Sequence, residues 1–257
     1  MGNATEIPYE WLWFDADGVV FDYDRAEQEA LACALRSFGH SLTPGLLKTY
    51  RAINQELWAA LERSEISAAE LKTLRFERFL SAAQLPGNGA EFGERYLEAL
   101  ARMHMLWPGC ETFLPRLRSR YRLGLLTNGL LRVQQPRLER AGLLICFDVV
   151  LISEEIGAAK PSRTFYQIAW EQSGRPPLQR VLMIGDNWNA DVAGAAAFGV
   201  HTCWFNPEGR SVPDNPAVQR VVRSWAELAE WLLPEHPATL GAWNPPFQPL
   251  SHRRRFQ

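Results

Sequence analysis

Aspartate, threonine, asparagine and lysine side chains follow four short apolar runs of this sequence. Carboxylate oxygens suit a hard divalent cation, whereas lysine, threonine and asparagine supply hydrogen-bond donors for an anion. A divalent cation beside anion donors is the arrangement used for phosphoryl transfer. The runs and the residues after them are Trp11–Phe14 with Asp15 and Asp17, Leu123–Leu126 with Thr127 and Asn128, Val149–Ile152 with Lys160 a few residues on, and Val181–Ile184 with Asp186 and Asp191.

Taken singly, each of these residues has an ordinary structural explanation. Asp15 and Asp17 could form a turn or a helix cap, and Lys160 could be a solvated lysine. Asp191 could be an acidic residue at a helix start. The joint pattern favours a site, because four carboxylates brought to one edge repel one another unless a cation lies among them. The sequence therefore predicts Mg²⁺ as the cofactor at this edge.

The apolar runs predict the strands that position these side chains. Runs that are apolar at every position are typical of strands buried on both faces of a parallel sheet, and ligands bind beyond the carboxyl ends of such strands. Because strand and helix patterns alternate, the sequence predicts an α/β fold with a Rossmann-like, doubly wound parallel sheet. The predicted helices are Cys110–Ser119, Leu131–Ala141, Thr164–Ser173 and Ala190–Phe198, and weaker strand patterns cover His201–Phe205 and Val221–Val222.

A helical insertion interrupts this alternation after the first strand. The chain from Asp24 to His104 has several helical patterns and no convincing strand, and Ser67–Glu70 has the pattern of a capping box. We therefore predict an inserted all-helical cap domain. The predicted division is a core of residues 1–22 and 105–233, a cap of residues 23–104, and a Pro-rich C-terminal tail of residues 234–257 that is disordered or loosely docked.

Composition excludes several classes of protein. The 257 residues are 47% hydrophobic, and 27 Lys and Arg stand against 29 Asp and Glu, so the basic surplus of a protein that binds a nucleic-acid polymer is missing. The four cysteines form no CxxC pair, which suits a reducing compartment. The N-terminal stretch lacks a signal-peptide pattern, and no apolar run approaches the ~18 residues of a membrane span. We expect a cytoplasmic monomer or homodimer that binds a small-molecule phosphate ester and no membrane.

The polar residues that follow the four apolar runs together resemble the four motifs of the haloacid dehalogenase (HAD) superfamily. The resemblance covers Trp11 to Trp231, and it implies a Rossmann-like core with a helical cap inserted after the first motif. The matching motifs are Asp15-x-Asp17-Gly18-Val19, Thr127–Asn128, Lys160 and Gly185–Asp186-x4-Asp191.

The resemblance also implies a role for each residue of the reaction. Asp15 would be the nucleophile that forms an aspartyl-phosphate. Asp17 would protonate the leaving oxygen and then activate water. Thr127 and the backbone of Asn128 would hold the phosphate, and Lys160 would pin the nucleophile and the phosphate.

A metal site is implied by the same resemblance. Asp15, the carbonyl of Asp17 and Asp186 would hold Mg²⁺, and Asp191 would orient its waters. A bound cation also answers a physical need, because a carboxylate is repelled by a phosphate dianion unless positive charge lies between them.

Several stretches are similar to a narrower family, the noncanonical pyrimidine nucleotidases. That family implies a cytosolic, Mg²⁺-dependent 5′-nucleotidase that acts on pyrimidine nucleoside monophosphates. The stretches are Trp13–Asp17, Tyr50-x2-Ile53–Asn54-x2-Leu57–Trp58, Arg75–Glu77, Leu126–Gly129, Gln135-x-Arg137–Arg140 and Ile152–Glu155.

Other functions remain open at this point. The chain could be a HAD phosphatase for another metabolite, such as a sugar phosphate or N-acylneuraminate 9-phosphate. A sugar phosphomutase and a catalytically silent HAD-fold binding protein are further alternatives. Asp17 counts against a haloacid dehalogenase, because those enzymes resemble the first motif but lack its second aspartate.

Discrimination between substrates is expected to come from the cap, since the strand ends would contact only phosphate and metal. Asn54 and Trp58 lie one helical turn apart and are candidates for a base-binding amide and a stacking surface. The alternative is that Trp58 belongs to the apolar core of the cap. Arg75 and Arg78 are further candidates, although arginines of this kind are more often solvated than functional.

Overall fold

The computed structural model describes residues 9–63, 65–211, 213 and 216–233. The predicted tail of residues 234–257 lies outside the described residues. The strands are β1 (Trp11–Phe14), β2 (Arg122–Thr127), β3 (Val149–Ile152), β4 (Val181–Gly185), β5 (His201–Phe205) and β6 (Val218–Val222). They form one parallel sheet of six strands in the order β3-β2-β1-β4-β5-β6. The predicted Rossmann-like, doubly wound sheet is confirmed.

Strand β1 shows why these strands are apolar at every position. Successive side chains of a strand point to opposite faces of the sheet. Leu12 and Phe14 pack into the apolar cluster on one face, whereas Trp11 and Trp13 pack into the cluster on the other. Because helices cover both faces, no position of β1 is left in contact with water.

The helical insertion follows β1 and packs around its own apolar cluster. Its helices are α1 (Tyr23–Ser37), α2 (Pro44–Glu62), α3 (Ala68–Ala82) and α4 (Gly89–Leu100). The cluster between them combines alanine and leucine side chains with aromatic rings, including Tyr50, Phe76 and Phe92. The predicted capping box is confirmed, since the Ser67 hydroxyl accepts from the Glu70 N–H and the Glu70 carboxylate accepts from the Ser67 N–H.

The chain leaves the sheet for this insertion and returns to it at neighbouring points. Phe21 and Leu106 form an antiparallel bridge. The Asp22 N–H donates to the Met105 carbonyl at 3.0 Å, and the Trp107 N–H donates to the Val20 carbonyl at 3.0 Å. The outgoing and returning segments are therefore hydrogen-bonded to each other, and we define these paired segments, residues 20–22 and 105–107, as the junction. The boundaries of a separate cap domain remain a prediction.

The remaining helices connect the strands and cover the sheet. They are α5 (Cys110–Arg118), α6 (Leu131–Arg140), α7 (Ser153–Ile156), α8 (Arg163–Gln172), α9 (Gly194–Phe198) and α10 (Trp225–Leu232), with short 3₁₀ turns at Leu144–Cys146 and Leu178–Arg180.

The predicted single helix Ala190–Phe198 is partly wrong. Residues Trp188–Ala193 form a wider π-helical segment, and only Gly194–Phe198 is α-helical. The Asn187 side chain caps the π-helical segment by accepting from the N–H groups of Asn189 and Ala190. A 3.6-residue sequence pattern cannot separate these two helix types over one or two turns.

Among the described residues, no helix combines the length and the apolar character needed to cross a bilayer.

Candidate active site

The predicted catalytic residues collect at the carboxyl edge of the sheet, where the strand order reverses. Asp15 follows β1 and Asp186 follows β4, its neighbour in the sheet. Thr127 is the last residue of β2 and is buried. Lys160 comes from the segment between α7 and α8, beyond β3. Ligands bind at this switch point in open α/β sheets, because two neighbouring strands send their connections to opposite faces there.

Lys160 is the central cation of the site. It is only 3% exposed, and its ammonium donates to Asp15 Oδ1 at 2.7 Å, Asp191 Oδ1 at 2.7 Å and the Leu126 carbonyl at 2.8 Å. All three N–H bonds of the ammonium are thus used. The alternative of a solvated lysine is wrong. Burial alone lowers the pKa of Lys160, but the charges of the two carboxylates and their hydrogen bonds outweigh burial and raise it above its usual range.

Three carboxylates lie close together at this site, and two of them contact the Lys160 ammonium. Asp15, Asp186 and Asp191 each present an oxygen within 4.8 Å of the others. Burial raises the pKa of Asp15 well above its usual range, and the nearby Asp191 charge raises it further against the opposing effect of Lys160. Burial and the charge of Asp191 also raise the pKa of Asp186 to about 7. The protein alone therefore leaves an excess of negative charge at this edge.

The donor set fits a hard divalent cation such as Mg²⁺, which takes oxygen ligands. Asp15 Oδ1 accepts from Lys160 and from the Ala16 N–H, and Oδ2 accepts no hydrogen bond from the described residues. The Asp186 carboxylate accepts none from them either. These oxygens have lone pairs free to ligate a metal.

Asp191 is engaged differently from the other two aspartates. It is fully buried, its Oδ1 accepts from Lys160, and its Oδ2 accepts from the Asn187 N–H at 3.1 Å. Both oxygens are thus occupied by protein donors. This arrangement fixes Asp191 as a charge that holds Lys160 in place.

Gly18 has a conformation and a location that exclude a side chain. Its φ is +83°, a region that favours glycine. A Cβ atom there would lie 2.5 Å from Cγ of Asp186. A larger residue at position 18 would therefore displace the carboxylate at the end of β4.

Asn128 acts through its side chain. Its Nδ2 donates to the Lys160 carbonyl at 2.8 Å, and its Oδ1 accepts from the Lys160 N–H at 2.8 Å. The sequence predicted Asn128 as a donor to an anion and did not predict this contact with Lys160. The amide ties the segment after β2 to the segment that carries the buried lysine.

Asp17 is held by two residues that sequence analysis did not assign to the site. Arg137 Nη1 donates to Asp17 Oδ1 at 2.6 Å, and Gln134 Nε2 donates to Oδ2 at 2.7 Å. Both residues lie on α6. Their signal in the sequence was an arginine three residues after a glutamine on a helix that opens directly after the second motif.

The predicted cap residues lie in a second polar group. Asn54 is buried, its Nδ2 donates to Glu27 Oε1 at 3.1 Å, and its Oδ1 accepts from Arg75 Nη1 at 3.1 Å. Arg75 is 5% exposed and lies over the Phe76 ring, so it is not a solvated arginine, the more common case for this residue type. The free-energy cost of burying its guanidinium is offset by the hydrogen bond to Asn54 and by the nearby aromatic face.

The two other residues considered in the cap are more accessible. Arg78 is exposed as expected and pairs with Glu56 at 2.9 Å. Trp58 is half-buried on α2. Contact of Asn54 or Trp58 with a substrate stays a prediction.

Comparison with known families decides how this geometry is classified. A family model described as haloacid dehalogenase-like hydrolase matches residues 9–199. The chain belongs to this hydrolase family. The residues that resemble its four motifs are the ones assembled at the carboxyl edge of the sheet.

Similar proteins add detail to this HAD hydrolase. The chain is 35% identical over 230 residues to the pyrimidine 5′-nucleotidase YjjG of Escherichia coli, covering 90% of this chain and all of that protein. It is 34% identical over 200 residues to the pyrimidine 5′-nucleotidase PynA of Streptococcus pneumoniae, covering 77% of this chain and 84% of that protein.

A solved structure shows the same fold over nearly the whole chain. It is the HAD hydrolase YfnB of Bacillus subtilis, crystallised with magnesium and described as showing interdomain movement. The two chains share 29% identity, the TM-score is 0.82, and the match covers 88% of this chain and 99% of that one.

Proposed function

We propose that this HAD hydrolase is a Mg²⁺-dependent phosphatase for small phosphomonoesters, with pyrimidine nucleoside 5′-monophosphates as its substrate class. One observation carries the proposal. Asp15, Asp186 and Asp191 lie close together, and a single buried ammonium pairs with Asp15 and Asp191. A fourth aspartate, Asp17, lies on the same loop as Asp15 and has its own polar contacts. This geometry separates the proposed nucleophile from the proposed acid–base and supplies oxygen ligands for a cation.

The first half of the reaction transfers the phosphoryl group to the protein. An oxygen of Asp15 attacks phosphorus, and the bond from phosphorus to the ester oxygen breaks. Asp17 gives a proton to that oxygen, so the alcohol or nucleoside leaves neutral. Lys160 donates to Asp15 Oδ1 at 2.7 Å and so holds the carboxylate in place for this attack.

The second half regenerates the carboxylate. Asp17, now ionised, takes a proton from a water molecule, and the water oxygen attacks the aspartyl-phosphate. Inorganic phosphate leaves and Asp15 is restored. Thr127 supports both halves by donating its hydroxyl to a phosphate oxygen.

Mg²⁺ would be held by Asp15, the Asp17 carbonyl and Asp186, and when bound it neutralises charge on the phosphate and the carboxylates. Lys160 and Asp191 keep the Asp15 carboxylate in one orientation through a chain of buried ion pairs. The pairing of these residues therefore positions the nucleophile before substrate arrives.

The substrate class rests on the two curated nucleotidases. Both are named for pyrimidine 5′-nucleotidase activity, and the match to the Escherichia coli protein covers that protein's entire length. The half-buried Trp58 supplies the cap with an aromatic ring for base recognition. The Asn54 amide is bound to Glu27 and Arg75, so it would contact a base only through its remaining N–H. The presence of Asp17 argues against dehalogenation, which needs no leaving-group acid.

The test is a phosphate-release panel with the full chain. Its substrates are pyrimidine and purine nucleoside 5′-monophosphates, a hexose phosphate and N-acylneuraminate 9-phosphate, each with Mg²⁺ and with excess chelator. We expect the highest kcat/KM on a pyrimidine nucleotide and no release in chelator. Asp15→Asn should be inactive, whereas Asp22→Asn should retain activity, because Asp22 caps α1 and asparagine caps helices as well.

Each alternative has its own outcome in this panel. A preference for the hexose phosphate or the neuraminate ester would reassign the substrate. Release of no phosphate from any ester would refute the phosphatase. Full activity in chelator would remove the metal from the mechanism.

A further inference from the structure

The Asp17 carboxylate is held on both of its oxygens by side chains of α6. Arg137 Nη1 binds Oδ1 at 2.6 Å, and Gln134 Nε2 binds Oδ2 at 2.7 Å. Residues three apart on a helix lie on the same face, so both donors approach from one side. Two bonds to two different oxygens fix the plane of the carboxyl group as well as its position.

Gln134 connects the acid–base to the predicted phosphate-binding hydroxyl. Its Nε2 also donates to Thr127 Oγ1 at 2.9 Å, and its Oε1 accepts from Arg137 Nη1 at 2.8 Å. The Gln134 side chain is buried, so these three contacts replace the water contacts that it would make if exposed. The distance between Asp17 and Thr127 is therefore set by one amide group.

Arg137 in turn is anchored to the chain that returns from the helical insertion. It is fully buried, its Nε donates to the Met103 carbonyl at 2.8 Å, and its guanidinium lies 4.2 Å from the centre of the Phe21 ring. Phe21 belongs to the junction, and Met103 lies two residues before its returning segment. Among the described residues, Asp17 is the acidic partner of this guanidinium. A buried guanidinium needs such partners, because leaving it unpaired is costly.

We propose that Gln134 and Arg137 are positioning residues that set the orientation of the Asp17 carboxyl group toward the leaving oxygen, and that Arg137 ties this orientation to the junction. The inference rests on the proposed phosphatase function. It adds two residues that the family motifs do not name and gives each a stated partner. Neither residue is expected to touch the substrate.

Leaving-group dependence tests this role. An alkyl ester such as a nucleoside 5′-monophosphate needs a well-placed acid, whereas p-nitrophenyl phosphate has a leaving group that needs little protonation. We expect Gln134→Met and Arg137→Lys to lower kcat on the nucleotide roughly 10- to 100-fold while changing KM little. The loss on p-nitrophenyl phosphate should be at least about tenfold smaller, because misplacement of the acid affects only the ester that needs it.

Matched controls lie on the same helix. Gln135 pairs with Glu139, and Arg140 is exposed, so Gln135→Met and Arg140→Lys alter the same residue types away from Asp17. Both should keep wild-type kinetics. Thermal unfolding of every variant separates loss of the fold from loss of the Asp17 orientation. If Arg137→Lys fails to fold, Gln134→Met still tests the proposal without changing the charge.

A double variant closes the test. In an Asp17→Asn background, Gln134→Met should cause no further loss on the nucleotide, because the group that it positions is gone. Equal losses on both esters in the single variants, or additive losses in the double variant, would overturn the inference while leaving the phosphatase intact. A wild-type protein that releases no phosphate from either ester would instead refute the proposed function, and the inference with it.

Discussion

Removal of the Lys160 ammonium tests how the carboxyl edge of the sheet is held together. Lys160→Met keeps most of the side-chain volume but deletes three hydrogen bonds and the charge between Asp15 and Asp191. Asp191 is fully buried, so its carboxylate would be left without its counter-charge. Breaking a buried ion pair by removing one partner costs about 3–5 kcal/mol.

That cost is a large part of the stability of a typical protein, which is about 5–15 kcal/mol. For a chain of this size, 1 kcal/mol corresponds to a change of about 2–4 °C in Tm, so Lys160→Met should lower Tm by roughly 6–20 °C. The assay is thermal unfolding followed by circular dichroism at pH 7.5 in chelator. Lys48→Met is the matched control, because Lys48 is exposed on α2, and it should leave Tm unchanged.

The pH dependence of the same variant gives a second measurement. Loss of Lys160 removes an effect that lowers the pKa of Asp15, so this pKa rises further in the variant. As the pH falls below this raised pKa, a proton on Asp15 replaces the missing positive charge. The difference in Tm between the wild-type protein and Lys160→Met, the Tm deficit, should therefore shrink toward pH 5. A deficit below about 2 °C at pH 7.5 would contradict the ion-pair account, since that corresponds to less than about 1 kcal/mol.

Three further predictions concern neighbouring residues. The pKa of Asp186 is raised to about 7, against 3.8 for an unperturbed aspartate. Between these two pH values the folded chain holds a proton on Asp186 that the unfolded chain has released. In chelator, Tm should therefore fall as the pH rises from about 4 through about 7. Mg²⁺ should raise Tm at pH 7.5, and Asp186→Asn should weaken both effects. Asn128→Ala deletes the two bonds to the Lys160 backbone and should cost about 1–3 kcal/mol in urea unfolding, with a lower kcat. Asp15→Asn should abolish phosphate release and raise Tm in chelator at pH 7.5, because it removes a carboxylate whose ionisation is disfavoured by burial. An unchanged or lower Tm would contradict the conclusion that the Asp15 charge destabilises the fold.

The fold was largely predictable because its strands have little freedom in composition. Trp11–Phe14 and Val149–Ile152 are apolar throughout, and both form strands with the predicted bounds. Positions covered on both faces tolerate few polar side chains, so such runs are a strong signal. The helical insertion was visible because a long stretch without strands interrupts a regular alternation.

Contacts between distant side chains were harder to predict. Arg75 reads as a surface residue, yet its partner Asn54 comes from another helix, 21 residues earlier. Arg137 lies 120 residues from Asp17 along the chain. Long side chains reach across helices, and the sequence pattern of an amphipathic helix does not record which polar residue turns inward. The motif residues were predictable because the strand ends that carry them meet by rule.

The adjacency of the two chain segments at the junction has a consequence for how such enzymes diversify. Phe21 and Leu106 already form a bridge, so the sheet needs only a connection between two touching points. The entropy of closing a loop grows slowly, by about 0.6 kcal/mol for each doubling of its length. Helices α1–α4 could therefore be lengthened, shortened or exchanged at little cost to the strands. The same carboxyl edge of the sheet can in this way be combined with many different helical insertions. Selection can then change the insertion while the residues at the edge stay the same.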